Sequence, residues 1–306
     1  LNSTISVRPF GWESLSEWTD LYNTIFGTTG TESEFDESSM RQHISLPGLH
    51  TEEDCFIAQD SDNNAGLAIL WPERPICRAV VEMGVVAGHP TPDVEKALVE
   101  ATIERARQLP VSVVHSQVSS GDERKQQLFH DAGFESVRQY ATMRWLKSDL
   151  PDLALPSGFA FDSFHAGRDE QRLTDIQNAT FADSWGFSPN TVEQIKLRVA
   201  AKATTPDGIL FVTKGSDVAG YNWTVRPAGP GSKLGRVAMT GVHPNYRGQG
   251  LSRAAVVAGM QWLVSQGVEV IELEMDTSNV HAAKVYESLG FEKTAEAVWY
   301  ELRLDD

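Results

Sequence analysis

The stretch Thr240-Gly-Val-His-Pro-Asn-Tyr-Arg-Gly-Gln-Gly-Leu-Ser-Arg-Ala-Ala255 decides how this chain is read. The segment Arg236–His243 reads as a strand that ends near Val242. A short loop with Gly248 and Gly250 follows, and Leu251–Gln266 then reads as a helix stopped by Gly267. Glycines at such a turn let the backbone approach a ligand closely. The N–H groups of the first helical turn have no intrahelical partner, and with the helix dipole they make an anion site. Arg247 sets a fork of donors beside it. The same glycines would also serve an ordinary strand–helix bend. The spacing is not that of a P-loop, Gly-x-x-x-x-Gly-Lys-Ser/Thr. It is not Gly-x-Gly-x-x-Gly either, because Arg253 stands where the third glycine belongs.

Outward from this loop, the second half of the chain reads as mixed strands and helices. Strands are expected at 159–164, 209–214, 217–225, 236–243, 268–275 and 297–304, with helices at 169–182, 190–201, 251–266 and 280–289. The segment Ser148-Asp-Leu-Pro-Asp-Leu-Ala-Leu-Pro-Ser-Gly158 reads as a linker near the midpoint. Across it the sequence repeats. Asp131-Ala-Gly-Phe-Glu135 matches Ser288-Leu-Gly-Phe-Glu292 at an offset of 290 − 133 = 157 residues. The same offset pairs Val85 with Val242, Ala97 with Ala254, Ala101 with Ala258 and Val113 with Val270. Gly66 meets Gly220 when the later loop is three residues shorter. Strands near 55–60, 65–71, 78–86, 111–118 and 137–146 complete the first copy.

At 306 residues the chain has room for two domains, each with its own core. Lys and Arg number 26 against 42 Asp and Glu, a net charge of −16. That balance argues against broad binding to nucleic acid or anionic membranes, while leaving room for one local anion site built from backbone N–H groups. No run approaches the length of a membrane span. Residues Leu1–Phe10 lack the charged-then-apolar pattern of a secretory signal. Two cysteines, Cys55 and Cys77, are too few for a disulfide framework or a zinc cluster, so no metal is expected and a reducing cytoplasm is.

With loop and repeat in view, the sequence resembles the GNAT-type N-acetyltransferases. Arg247-Gly-Gln-Gly250-Leu-Ser252 is similar to that family's Arg/Gln-x-x-Gly-x-Gly/Ala loop, with Ser252 in the last position. Asn279-Val-His-Ala-Ala-Lys-Val-Tyr-Glu-Ser-Leu-Gly-Phe291 is similar to its Asn-x-x-Ala-x-x-Leu/Val-Tyr-x-x-x-Gly-Phe segment. The resemblance implies an α/β (α+β) fold of two tandem GNAT-like domains, each a central mixed, mainly antiparallel sheet flanked by helices. Residues 1–147 would be a degenerate, inactive copy, 148–158 a linker and 159–306 the acetyl-CoA-binding catalytic copy. It implies an acetyl-CoA-dependent N-acyltransferase whose acceptor is the primary amine of a small molecule, active as a monomer or homodimer. Tandem chains of this size resemble the mycothiol synthase group, whose acceptor is a cysteinyl amino-sugar inositol, and this stands as the alternative. A non-catalytic acetyl-CoA sensor is the alternative of another class.

The resemblance also implies roles. Arg247, Gly248, Gln249, Gly250, Leu251 and Ser252 would hold the diphosphate, and Gly241 and Val242 would offer backbone N–H groups to the thioester. Asn279 would bond the pantetheine arm and Lys284 would lie near the CoA phosphates. Tyr286 would protonate the leaving thiolate, a phenol near pKa ~10 serving a thiol near ~8.5. Read without the resemblance, Tyr286 is a core aromatic, Asn279 a helix cap and Lys284 a solvated charge. The general base is open. The family's glutamate, eleven residues before the loop Arg, is here Arg236, which cannot act as a base. Glu272, Glu274 and Asp276 alternate on one strand face and either receive the amine or pair with Arg236 and Lys233. Asp183, Trp185, Tyr221, Trp223 and Glu274 are the acceptor-site candidates, with core packing the competing role for the aromatic ones. In the first copy Pro90, Asp93, Glu95, Asp122 and Phe129 stand for Arg247, Gly250, Ser252, Asn279 and Tyr286. Two carboxylates in the diphosphate slot would repel a diphosphate.

Overall fold

The computed structural model describes residues 4–27, 34–89, 91–146, 149–227 and 231–304. The chain divides into two compact units. Unit 1 comprises Leu1–Gln139 with Glu296–Asp306, and unit 2 comprises Tyr140–Ala295. The first half of the chain forms β1 (Ile5–Pro9), α1 (Leu15–Phe26), α2 (Glu37–His43), α3 (Thr51–Asp54), β2 (Cys55–Asp60), β3 (Asn63–Glu73), β4 (Arg78–Val85), α4 (Thr91–Ala106), β5 (Val113–Ser119), α5 (Glu123–Asp131) and β6 (Glu135–Leu146). The second forms β7 (Ala160–Ser163), α6 (Glu170–Phe181), α7 (Val192–Ala200), β8 (Thr204–Lys214), β9 (Asp217–Val225), β10 (Leu234–Val242), α8 (Leu251–Ser265), β11 (Val270–Asp276), α9 (Val280–Ser288) and β12 (Glu292–Arg303).

The 157-residue offset holds over the last elements of each copy. β5 and β11, α5 and α9, and β6 and β12 share both bounds at that spacing, and β4 and β10 share their ends. Strand β1 and helices α1 to α3 are additions to the elements expected in the first copy.

Each unit is a mixed, mainly antiparallel sheet with one parallel pair. In unit 1, β1-β2-β3-β4 pair antiparallel, β4 and β5 pair in parallel, and β5 pairs antiparallel with β12 along Val113–Ser119. In unit 2, β7-β8-β9-β10 pair antiparallel, β10 and β11 in parallel, and β11 antiparallel with the Tyr140–Leu146 part of β6. The compact units therefore depart from the expected limits of 1–147 and 159–306. Each takes its last strand from the opposite half of the sequence. The burial pattern gives the reason. Ala141, Met143 and Trp145 alternate into the core of unit 2, and Val298 and Tyr300 alternate into the core of unit 1. Lys147 and Ser148, at the expected linker's edge, lie outside the described residues.

Helices cover both faces of each sheet, so neighbouring strand residues belong to different cores. In unit 1, Val94, Leu98 and Val99 of α4 pack with Ala58, Ala68 and Val81, while Trp18 and Tyr22 of α1 pack with Ile57, Leu67 and Ile69. In unit 2, Leu173 and Ile176 of α6 and Ile195 and Val199 of α7 cover Phe211, Tyr221 and Trp223. Helix α8 lies on the opposite face with Val256, Val257, Met260 and Leu263 inward. It approaches the sheet so closely that a Cβ on Gly259 would stand 2.1 Å from Asn222 Oδ1, which is why glycine occupies a helix interior here.

Candidate active site

The parallel pair β10–β11 is short. It joins Leu234, Gly235 and Arg236 to Val270, Ile271 and Glu272, and pairing stops there. Beyond that point β10 runs on to Val242 with its antiparallel partner β9, through a register shift between Val237 and Met239. Such a bulge bends the strand. Two strands that pair at one end and part at the other leave facing backbone N–H and C=O groups unpaired by the sheet, so the gap can receive an extended, amide-bearing arm.

The glycine loop stands at the open end. His243 Nδ1 accepts from Asn245 N–H at 3.2 Å and starts a single turn over Pro244–Tyr246. Gly248 and Gly250 both take left-handed backbones at φ +78°, with open space where a side chain would lie. Conformation therefore selects glycine at both positions. Gly250 is the N-cap of α8 and supplies no side-chain cap. The first-turn N–H groups of a long helix thus face an exposed loop, which is the arrangement that binds anions. Arg247 Nη2 donates to Thr180 O at 2.9 Å and Nε donates to Val242 O at 3.4 Å, tying the loop to the ends of α6 and β10.

Gly241, expected to contribute backbone to the site, has a packing reason as well. A Cβ there would stand 2.1 Å from Thr180 Cγ2. Thr180 is the residue that sequence reasoning missed. Its carbonyl holds Arg247, and its hydroxyl is buried with no hydrogen-bond partner. The available signal was a glycine inside a strand, which marks close approach.

Helix α9 brings in the second motif. Asp276 Oδ1 accepts from Ser278 N–H at 2.8 Å, and Asn279 Oδ1 accepts from Ala282 N–H at 3.0 Å, which caps the helix. Asn279 is therefore the cap that its bare sequence reading describes. Lys284 is exposed. Tyr286 is buried among Met143, Leu273, Leu289 and Phe291, with its ring 6.0 Å from that of Phe291 at 61°. Burial pushes its phenol up to about 12. Tyr221 is fully buried, its hydroxyl pushed up by desolvation, and Tyr286 is near enough to raise it further.

The remaining acceptor candidates divide. Trp223 is buried beside Tyr221 under α6 and α7, and its indole N–H has no partner. Trp185 is half-buried in the loop after α6, whose Phe181 and Phe187 rings stand 5.5 Å apart. Asp183 and Glu274 are exposed. The carboxylate question is settled for Glu272. It is buried and accepts from Arg236 Nε at 2.9 Å and Arg144 Nε at 2.8 Å, directly across from it on β10 and β6. Each of its two oxygens is therefore already taken by a guanidinium. Lys233 pairs with Glu269 at 3.0 Å.

The equivalent places in unit 1 are filled from within. Glu95, at the position of Ser252, is buried and gripped by both terminal nitrogens of Arg124. Lys125 Nζ donates to Met83 O at 3.1 Å, next to where β4 and β5 part after Val81 and Ser116. Asp93 is exposed. Asp122 caps α5 through Lys125 N–H at 2.9 Å, as Asn279 caps α9. Phe129 is buried at the place of Tyr286, 5.0 Å from the Phe134 ring. Pro90 lies outside the described residues. Among the described residues no group of three or more His, Cys, Asp or Glu could hold a metal ion, and no helix is long and apolar enough to cross a membrane.

Comparison with known proteins agrees with this geometry. Residues 171–291, which run from α6 to the end of the second motif, match the Acetyltransferase (GNAT) family. The chain is 31% identical over 240 residues to a mycothiol acetyltransferase of Thermomonospora curvata, covering 78% of each. It is 29% identical over 256 residues to one of Kocuria rhizophila, 80% of this chain and 83% of that one. Among solved structures, a GCN5-related N-acetyltransferase from Sphaerobacter thermophilus superposes with a TM-score of 0.72 at 17% identity over 98% of this chain and 95% of that one. A tandem GNAT protein from the clavulanic acid biosynthesis pathway superposes with 0.72 at 16% identity over 98% of each. The parted strands, the glycine loop at an uncapped helix and these relatives lead to one conclusion: the chain is an N-acetyltransferase that belongs to the GNAT family, in its tandem form.

Proposed function

We propose that unit 2 carries the reaction, moving an acetyl group from acetyl-CoA to the primary amine of a small molecule. The observation that carries this reading is the uncapped N-terminus of α8 at Gly250, opening beside the gap between β10 and β11. Gly248, Gln249, Gly250, Leu251 and Ser252 bind the diphosphate through backbone N–H groups. Arg247 holds the loop through Thr180 and adds positive charge. Gly241 and Val242 lie along β10, where the parted edge faces the pantetheine arm, and Asn279 and Lys284 flank its far side. Bound acetyl-CoA supplies an activated acetyl thioester whose sulfur leaves as the amine attacks.

The residues of the chain do the rest. Tyr286 keeps its proton far above neutral pH, since burial holds its pKa at about 12. Full transfer from such a phenol to a thiolate near ~8.5 is uphill by on the order of 5 kcal/mol. Its contribution is therefore a hydrogen bond donated toward the departing sulfur, and not the matched proton transfer that an ordinary phenol would offer. Glu272 is held by two arginines, so the amine loses its proton to water. Tyr221, Trp223, Trp185, Asp183 and Glu274 border the acceptor side. Unit 1 holds no acetyl-CoA, because Glu95 with Arg124 fills its diphosphate position.

The mycothiol acetyltransferase relatives favour one specific acceptor, a cysteinyl amino-sugar inositol, as the first amine to try. The acidic balance of the chain favours a soluble acceptor over nucleic acid or membrane, and its free cysteines, buried Cys55 and exposed Cys77, suit the cytoplasm. Calorimetric titration with acetyl-CoA tests the reading. One site per chain, lost in Arg247→Ala, is expected. Two sites, or one that survives that change, would overturn the assignment to unit 2.

A further inference from the structure

Unit 1 contains a cavity of about 380 Å³ where β4 and β5 part, lined by Phe26, Trp71, Glu82, Met83, Lys125 and Trp299 among others. That is at the small end of ligand pockets, which run roughly 300–1,000 Å³. It suits a metabolite and not a nucleotide carrier. Two opposite charges stand in its wall. Glu82 accepts from Tyr22 Oη at 2.8 Å and from Trp71 Nε1 at 2.9 Å, one bond on each carboxylate oxygen. Each oxygen keeps capacity for another donor. Lys125 commits one of its three N–H donors to Met83 O. Among the described residues no ion pair joins Glu82 to Lys125. Arg124, Glu95 and Asp122 shape the field at Lys125, and its half-buried ammonium carries a desolvation cost that a bound anion would offset. The other walls, Phe26, Trp71 and Trp299, are broad aromatic surfaces.

We propose that this cavity binds a small amino acid with an apolar body, its ammonium on Glu82, its carboxylate on Lys125 and its chain against Phe26, Trp71 and Trp299. Opposite charges that share a cavity without sharing an ion pair match a ligand bearing both charges, and aromatic faces favour the ammonium further. The site binds and does not turn over, since Phe129 replaces the phenol. The inference is independent of acetyl transfer, which is assigned to unit 2.

The test uses the full chain, titrated by calorimetry with L-leucine, L-methionine and 6-aminohexanoate. Isoamylamine and isocaproate serve as single-charge counterparts of leucine. At least one zwitterion is expected to bind one to one with Kd below about 1 mM. Its single-charge counterparts should bind at least about tenfold more weakly. Glu82→Gln and Lys125→Met should each weaken the zwitterion about tenfold or more, with acetyl-CoA binding unchanged. Should Glu82→Gln fail to fold, because Tyr22 and Trp71 lean on Glu82, Lys125→Met alone carries the test. No zwitterion binding up to about 10 mM, or binding that both folded variants retain, would overturn the proposal.

Discussion

Helices α4 and α8 are equivalent elements in two copies of one fold, although α4 opens three residues earlier by the 157-residue offset, and they are finished differently. At α8 a left-handed glycine holds the N-cap position without any side-chain cap and leaves the first-turn N–H groups facing an exposed loop. At α4 the matching turn carries Glu95, which folds inward onto Arg124. A further step along each copy, Tyr286 and Phe129 occupy the same buried position with and without a phenol. The lesson is that the scaffold is indifferent to the chemistry. A few side chains at one helix end separate an open first turn, the proposed diphosphate site, from an internal ion pair.

The largest expected effect tests the exchange of strands. A chain stopped before Glu296 removes Val298 and Tyr300 from the core of unit 1 and the partner of β5 along Val113–Ser119. Each buried side chain contributes roughly 2 kcal/mol, so unit 1 should lose most of its stability while unit 2 keeps its own β6. Hydrogen exchange at the β5 amides reads this directly. Protection that persists would mean that β6 had moved over to β5, and the division into units would fail.

Next comes the phenol. Tyr286→Phe should lower kcat by about 10²-fold or more with the acetyl-CoA Kd unchanged, and Phe129→Tyr should create no second activity. Thiol release at saturating acetyl-CoA measures both. If Tyr286→Phe turned over normally, Tyr286 would be a core aromatic, as its neighbours alone suggest.

A third change sharpens the contrast at the helix ends. Gly250→Asp places a carboxylate and a strained left-handed backbone in the proposed diphosphate site, and acetyl-CoA affinity should fall about 100-fold. Asp93→Gly in unit 1 should change acetyl-CoA affinity by less than about twofold. A second binding site appearing in that variant would mean that the first copy was closed by one residue only.

The smallest effect concerns pH. On β11, Glu272 faces Arg144 of β6, and on β5, His115 faces Glu301 of β12. Both partners are 157 residues from their counterparts, so exchange of the last strands preserves register while changing the chemistry. Burial lowers the His115 pKa, an effect that the 2.8 Å contact with Glu301 partly offsets. A histidine held neutral in the fold binds its proton more readily when unfolded. Unit 1 should therefore be more stable above about pH 6.5 and lose that contribution as pH falls below it. Glu301, held below its usual range by His115 and Arg303, acts in the same direction. The part of the acid loss in melting temperature that begins near pH 6.5 should vanish in His115→Gln, leaving the part at lower pH that Glu301 keeps through Arg303.

Much of this was legible in the sequence. The repeat, the alternation of Ile271, Leu273 and Met275 into one core, and the strand–glycine loop–helix order all follow local periodicity and turn chemistry. The pairing of Glu272 with Arg236 was foreseen as the competing role for that carboxylate. No base-bearing residue stands out, because on β11 Glu272 is spent on cross-strand ion pairs and Asp276 on a helix turn. Thr180 was invisible, because its part depends on α6 pressing against a glycine on a strand far along the chain.

The sequence by itself determined that the chain carries one fold twice, and that only the second copy has the glycines, the arginine and the phenol that the proposed transfer uses. Those are matters of residue type and spacing, which local backbone preference and chemistry can read. Only the tertiary structure decided which copy each final strand completes, that Tyr286 is desolvated, and that Glu82 and Lys125 share a cavity. β6 and β12 present the same alternation at the same offset, so no local rule distinguishes their partners. Burial and the meeting of charges arise only when elements distant in sequence pack together.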